Sequence, residues 1–437
     1  MENITFASTS ALARAIRERE VSSREVIEAH ARRVEAVNAK LNAVAQLTAE
    51  RALERAREAD DALARGEAWG PLHVVPFTVK DWIETNDAIC AAGSVERANF
   101  VPKHDATAVA RLRAAGGIML GKTVDGVNNP VYGPTSNPYD LSRTTGASSA
   151  GEAAIVAAGG SPLGLGSDSG GSIRFPAHCC GIAGLKPSAG RVPLTGHFPR
   201  IDHLSDPRTQ IGPLARRVED LALALPLISG PDGRDSSVAP VPLGDWRAVE
   251  LSGARVATFT AFERASCTPE TAAAVRDAAK ALADAGAVVE EALPPRIEES
   301  WAITLHHWKR VRSHSWSEWR TVSEHTLTAD EVERHIFAMG RLQRAMLLFM
   351  ERYDLLLCPV APGPAAPKAD GETPLAFIYT LPFSLTGWPC VAVRAGTSPE
   401  GLPLGVQVVA RPWRDDVALA AAHCVEQALG GWRAPAI

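Results

Sequence analysis

Two clusters of serine and glycine stand close together in this chain, Gly146-Ala147-Ser148-Ser149-Ala150-Gly151-Glu152 and Gly166-Ser167-Asp168-Ser169-Gly170-Gly171-Ser172, and both carry hydroxyls able to attack a carbonyl. The second follows the alternating run Leu163-Gly164-Leu165 and precedes Ile173-Arg174-Phe175-Pro176, a pattern that reads as a strand ending in a tight glycine turn that opens a helix. A serine on such a turn is surrounded by backbone amides. Gly170 and Gly171 have no side chains, so the N–H groups of Ser169, Gly170, Gly171 and Ser172 can converge on one point and hold a developing oxyanion. Each such donor is worth about 3 kcal/mol in a transition state. A serine hydroxyl is a poor nucleophile until a base takes its proton, and no imidazole base motif is evident. Lysine is the alternative. Lys80 ends the mostly apolar run Leu72-His73-Val74-Val75-Pro76-Phe77-Thr78-Val79, which has strand character, and burial there favours the neutral amine.

A lysine ending an apolar strand, a serine-glycine loop and a Gly-Ser-Asp-x-Gly-Gly-Ser-Ile-Arg-x-Pro segment, in that order, resemble the amidase signature family. The resemblance continues through Gly181-Ile182-Ala183-Gly184-Leu185-Lys186-Pro187 and Gln210-Ile211-Gly212-Pro213, and reappears at Gly401-Leu402-Pro403-Leu404-Gly405-Val406-Gln407. It implies a single α/β domain over 1–437 with a central mixed, mostly parallel β-sheet flanked by helices. Within it, 1–65 is the N-terminal helical segment, 70–220 the catalytic core, and 250–437 the rest of the same sheet and the pocket wall.

Carried over motif by motif, the resemblance makes Ser172 the nucleophile, Ser148 a bridging serine with a cis peptide bond, and Lys80 the general base. It makes the backbone of Ser169, Gly170 and Gly171 the oxyanion hole. Ser148 and Ser172 stand 24 residues apart, the register that this motif pair normally shows. The implied chemistry is acyl transfer on a carbon–nitrogen bond: Lys80 draws a proton from Ser148, Ser148 draws one from Ser172, and Ser172 attacks the amide carbonyl. No cofactor and no metal are needed. Glycine is usual in the family where Ala147 and Ala150 stand here, and the stretch from Gly121 to Pro130, which includes Asn128, looks shortened. A positive φ at either alanine would strain the loop, and a shortened segment beside the site would reshape the pocket or a subunit contact.

Several conspicuous residues read as structural. Asp168 is expected to order the nucleophile turn, Arg174 to make an ion pair, and Lys122 and Lys186 to hold glycine turns. Cys179 and Cys180 beside His178 lack metal-ligand spacing and read as packing. Between Trp301 and Met350, His306, His307, Trp308, His314, Trp316 and Trp319 read as a surface or pocket-wall helix rather than a metal site, because acidic partners at ligand spacing are absent. If this segment lines the pocket, its aromatic content favours a bulky apolar or aryl substrate.

The elements around the site follow from pattern. Ser22 and Glu25 form a capping box, and Val26, Ile27, His30, Val34, Val37 and Leu41 mark one helical face that packs on the core or on a second copy in a homodimer. A helix over 106–115, stopped by Gly116-Gly117, precedes the strand Ile118-Met119-Leu120, which is α/β organisation. A second unit has a strand from Arg255 to Phe259, a helix opened by Thr268-Pro269-Glu270, and the strand Ala287-Val288-Val289. Residues 361–374 read as a loop, and 404–409 as a strand before a final helix.

The 437 residues are 46% apolar with a net charge of −5 and no basic run, so nucleic acid and anionic membranes are poor partners, and a small amide and water are the expected ones. The N-terminus lacks a signal peptide pattern and no apolar run spans a bilayer, so the protein is expected to be cytoplasmic. Seven scattered cysteines read as reduced thiols. Two other functions compete with a stand-alone amidase. One is the glutaminase-type A subunit of a tRNA-dependent amidotransferase, which the shortened segment and the absent basic surface disfavour. The other is a phosphate-binding module, which lacks a Gly-x-x-x-x-Gly-Lys-Ser/Thr sequence.

Overall fold

Helices alternate with strands in the two regions where the sequence pattern does, and there the strands run parallel, because a parallel pair needs a crossover. The computed structural model describes residues 3–126, 129–199, 208–310, 328–371 and 373–437, with the backbone alone at 308–310. Asn128, His314, Trp316, Trp319 and the Trp308 side chain lie outside the described residues. The strands are β1 (Val44–Leu47), β2 (Pro76–Lys80), β3 (Ile118–Thr123), β4 (Leu163–Asp168), β5 (Ala183–Lys186), β6 (Gln210–Ala215), β7 (Arg255–Thr258), β8 (Val288–Glu291), β9 (Leu355–Pro359), β10 (Cys390–Thr397) and β11 (Pro403–Ala410). They form one 11-stranded sheet in the order β1-β3-β2-β4-β6-β5-β10-β11-β9-β7-β8.

The sheet is mixed as expected, but it is not mostly parallel. Only β3–β2, β2–β4, β9–β7 and β7–β8 pair in parallel. The other neighbours are antiparallel. Helices Thr107–Ala114 and Pro269–Asp284 supply the crossovers of the parallel pairs β2–β3 and β7–β8, and Ala150–Ala157 carries the chain from β3 to β4, which pairs with β2. By contrast, β10 and β11 are joined by a tight turn closed by Ser398 N–H to Leu402 O at 2.8 Å, which forces an antiparallel pair. The first 65 residues are not purely helical either. Between helices Ser23–Leu41 and Ala49–Ala64, β1 adds an antiparallel edge to β3. Both halves of the Ser22–Glu25 capping box are present. The loop over 361–374 carries a short 3-10 turn at Lys368–Asp370 and is otherwise irregular up to the turn that begins at Pro374.

Helix Ala150–Ala157 positions the site. Its small residues are all buried, as a helix apolar on every side must be, and it packs on β2, β4 and β6. Its one charged residue, Glu152, accepts hydrogen bonds from Thr78 of β2 and Thr123 of β3, the latter at 2.8 Å. Beside it Gly164 of β4 has no room for a side chain, since a Cβ there would lie 2.0 Å from Glu152 Oε1. Three strands and the helix that follows Ser148 are thereby locked together, with Lys80 and Asp168 both at strand C-termini. In open α/β sheets that edge is where ligands bind. Among the described residues no helix is long and apolar enough to cross a membrane.

Candidate active site

Lys80, the last residue of β2, is fully buried. Its Nζ lies 2.6 Å from Ser148 Oγ, 2.9 Å from Ser167 Oγ and 3.5 Å from the Ser167 carbonyl, and 4.3 Å from the centre of the Trp82 ring. Burial lowers its pKa to about 7, against the pull of Asp125, Asp168 and Glu152, so a substantial fraction of the amine is neutral near neutral pH. The sequence-predicted pair Lys80 and Ser148 is thus brought into direct contact.

The loop that carries Ser148 depends on Gly146, which has φ +99° and backs onto Pro176, where a Cβ would come within 2.8 Å of Cα and N. Ala147 and Ala150 are not among the residues with positive φ, so alanine causes no strain at either place. Ala150 starts the helix, while Gly151 must stay glycine because its Cβ would meet Ala43 O at 2.4 Å. The expected cis bond at Ser148 is not found: among the described residues the only cis peptide bond is Phe198–Pro199. A trans bond is the low-energy form for a residue that is not followed by proline, and Ser148 reaches Lys80 with trans geometry. The segment after Gly121 clamps the loop from outside, with Gly126 N–H on Ser148 O at 3.1 Å and Gly151 N–H on Val124 O at 3.1 Å.

The turn after β4 is organised by Asp168. Its carboxylate accepts the N–H of Gly171 at 2.7 Å and of Ile173 at 3.1 Å, and Arg174 grips it with two bonds of 3.0 Å. Burial alone would raise the Asp168 carboxyl, but Arg174 outweighs it and holds the pKa below the usual range. Gly171 sits at φ +138°, and a Cβ there would lie 2.4 Å from Thr380 Oγ1. Gly171 is therefore set by the turn, and its amide is taken by Asp168 rather than aimed at a ligand. Among the described residues the amides of Ser169, Gly170 and Ser172 have no acceptor, so they are left open to an incoming one.

Arg174 also reaches Gln407 Oε1 at 3.1 Å and Ser384 Oγ at 2.7 Å. This contact explains why a motif near the C-terminus belongs with the serine turn. Removing the arginine would leave Asp168 buried without its partner. Arg174→Met is therefore expected to lower stability by about 3–5 kcal/mol, read as a large drop in melting temperature, and an unchanged melting temperature would contradict the network.

Ser148, Ser169, Gly170 and Ser172 open onto one cavity of about 470 Å³, whose further walls are Trp82, Asp125, Gly126, Pro374 and Phe377. No hydrogen bond joins the two serine hydroxyls, although they share the cavity. Ser167 stands inside the second serine-glycine cluster and Asp125 inside the shortened stretch, but neither position assigns it a role; nothing in the sequence pattern marks Phe377, and for Trp82 the one available signal is its place two residues after Lys80. Lys122 and Lys186 are buried and bonded to the carbonyls of Ile83 and Pro187, as structural lysines would be. His178, Cys179 and Cys180 are buried, and His178 lies between Gly363 and Gly405. His306, His307 and His335 pack ring against ring at 4.3 and 4.4 Å, and among the described residues no His, Cys, Asp or Glu cluster could hold a metal.

A family model described as Amidase matches residues 25–338 and 306–419. The chain is 35% identical over 463 residues to the A subunit of glutamyl-tRNA(Gln) amidotransferase from Moorella thermoacetica, covering 94% of both proteins. It is 32% identical over 463 residues to an acylamidase of Rhodococcus erythropolis, covering 96% of this chain and 94% of that one. Among solved structures, 6-aminohexanoate cyclic dimer hydrolase superposes with a TM-score of 0.83 at 27% identity, covering 99% of each chain. The match along the chain and the shared fold give one conclusion: this protein belongs to the amidase signature family, whose enzymes act on carbon–nitrogen bonds other than peptide bonds.

Proposed function

We propose that this protein is a stand-alone amidase that hydrolyses an amide, anilide or carbamate through an acyl-enzyme on Ser172, with Ser148 as the bridging serine and Lys80 as the general base. The observation that carries this reading is the buried, neutral-leaning Lys80 amine 2.6 Å from Ser148 Oγ, at the edge of the cavity that Ser172 also lines. Lys80 takes the Ser148 proton, Ser148 takes that of Ser172, and Ser172 Oγ attacks the carbonyl carbon. The link between the two serines closes on substrate binding, since catalytic hydrogen bonds are often long before the reacting complex forms. The oxyanion lies against the amides of Ser169 and Gly170, with Ser172 completing the set. The relay returns its proton to the leaving amine, and water then attacks the acyl group by the same route. Trp82, Pro374 and Phe377 around the cavity support an apolar or aryl acyl group. We place the enzyme in the cytoplasm, acting on a small molecule with neither nucleic acid nor membrane as partner, as a monomer or homodimer.

Amine release from an acyl 4-nitroanilide tests the reaction. Only neutral Lys80 can accept a proton, so kcat/KM is expected to rise with pH through an acid limb near 7 and then level. An acid limb near 4, the range of an ordinary carboxylate, would assign the base elsewhere. The relatives that belong to amidotransferases favour a second reading, a glutaminase working inside a larger complex. Glutamine hydrolysis that appears only with copurifying subunits, and no anilide turnover, would establish that alternative.

A further inference from the structure

We infer that His197 is a positioning residue that fixes the direction of the hydrogen-bond chain behind Lys80, so that the lone pair of the amine is left for Ser148. This deepens the proposed function and rests on Lys80 being the base.

The Pro199 carbonyl can only accept, and it lies 3.1 Å from His197 Nδ1, so in the neutral imidazole it is Nδ1 that carries the proton. Nε2 is then an acceptor, and it lies 3.0 Å from Ser167 Oγ. Ser167 has one hydroxyl hydrogen and gives it to His197. Toward Lys80 Nζ, at 2.9 Å, Ser167 Oγ therefore offers only a lone pair. A neutral amine has two hydrogens and one lone pair. One hydrogen goes to Ser167 Oγ, the Ser167 carbonyl at 3.5 Å faces the other, and the lone pair remains for the Ser148 hydroxyl at 2.6 Å. Without His197, the Ser167 hydroxyl is free to turn and donate into that lone pair, competing with Ser148 for it.

The fold holds the imidazole in register with the lysine. His197 is 1% exposed, its backbone bridges Ile83, and its ring stands edge-on to Trp82 at 5.9 Å. The same indole lies 4.3 Å from Lys80 Nζ, so the short segment from Lys80 to Ile83 sets both ends of the chain. The carboxyl groups that act on Lys80 are Asp125, Asp168 and Glu152, and all three stay in place in the variants below.

Steady-state kinetics on an acyl 4-nitroanilide across pH, for wild type, His197→Leu, His197→Gln, Ser167→Ala, the Ser167→Ala/His197→Leu double variant and Lys80→Ala, tests this role. His197→Leu is expected to lower kcat roughly ten- to a hundredfold with KM unchanged, less than the roughly 10²–10⁴ of the base itself. Its acid limb moves to lower pH, because a Ser167 hydroxyl that donates to the amine stabilises the neutral form. His197→Gln, whose Oε1 can accept the Ser167 hydrogen, recovers most of kcat, and in the Ser167→Ala background His197→Leu costs nothing further. Wild-type kcat with an unmoved limb in His197→Leu would overturn the inference. So would losses that multiply in the double variant, or a His197→Gln as poor as His197→Leu; if His197→Leu does not fold, His197→Gln decides the case, and a loss of roughly tenfold or more in its kcat overturns the inference. Lys80→Ala separates the two levels: full activity there sinks the base assignment itself, whereas a dead Lys80→Ala beside fully active His197 variants sinks only the positioning role.

Discussion

Ser172→Ala is expected to fall in kcat/KM by at least about 10⁴-fold, the scale seen when a serine nucleophile is removed from an acyl-transfer enzyme, while its melting temperature stays close to wild type. The side chain lines a cavity and anchors nothing: the turn is held by Asp168 on Gly171, Ile173 and Arg174 and by Thr380 Oγ1 on Gly170 O at 2.5 Å. Losing one hydroxyl should leave that scaffold intact. Ser148→Ala is expected to lose somewhat less, because it removes the relay but leaves the nucleophile and the amides that face the cavity. Near wild-type turnover in Ser172→Ala, measured as amine release, would end the nucleophile assignment.

The second large effect separates three buried lysines. Lys80→Ala should cost about 10²–10⁴ in kcat, the usual worth of a general base. Lys122→Ala and Lys186→Ala should instead lower the melting temperature with a much smaller change in kcat, since their amines bond the carbonyls of Ile83 and Pro187. The distinction lies in what each Nζ meets. Only Lys80 has a serine hydroxyl that faces the cavity within 2.6 Å. Equal kcat losses in all three variants would show that burial alone was being measured.

Much of this is legible in the sequence, for reasons that can be named. Helices such as Pro269–Asp284, which opens on Thr268 with proline at its first position and stops before Gly286, announce themselves through local chemistry. Strand direction does not, since it is decided by which distant strand lies alongside, and so the predominance of antiparallel pairs runs against the expectation. β1 escapes notice because its four residues lie between two helices and only Val44 is buried. In the site, Lys80, Ser148 and Ser172 stand out by residue type and glycine context. The capture of the Gly171 amide by Asp168 is hidden, because it depends on the rotamer of a buried carboxylate. His197 and Phe377 enter the site through tertiary packing, and no spacing in the chain marks them as its neighbours, while Trp82 is marked only by standing two residues after Lys80.

The central claim is that acyl transfer passes through Ser172, and trapping the intermediate tests it most directly. Wild type would be quenched in acid during turnover of an activated acyl ester, and the added acyl mass located by peptide mass spectrometry. The account predicts one acyl group on Ser172, absent from Ser172→Ala and depleted when turnover is allowed to finish. An acyl group on Ser148 or Ser169, or on no residue while turnover proceeds, would contradict it.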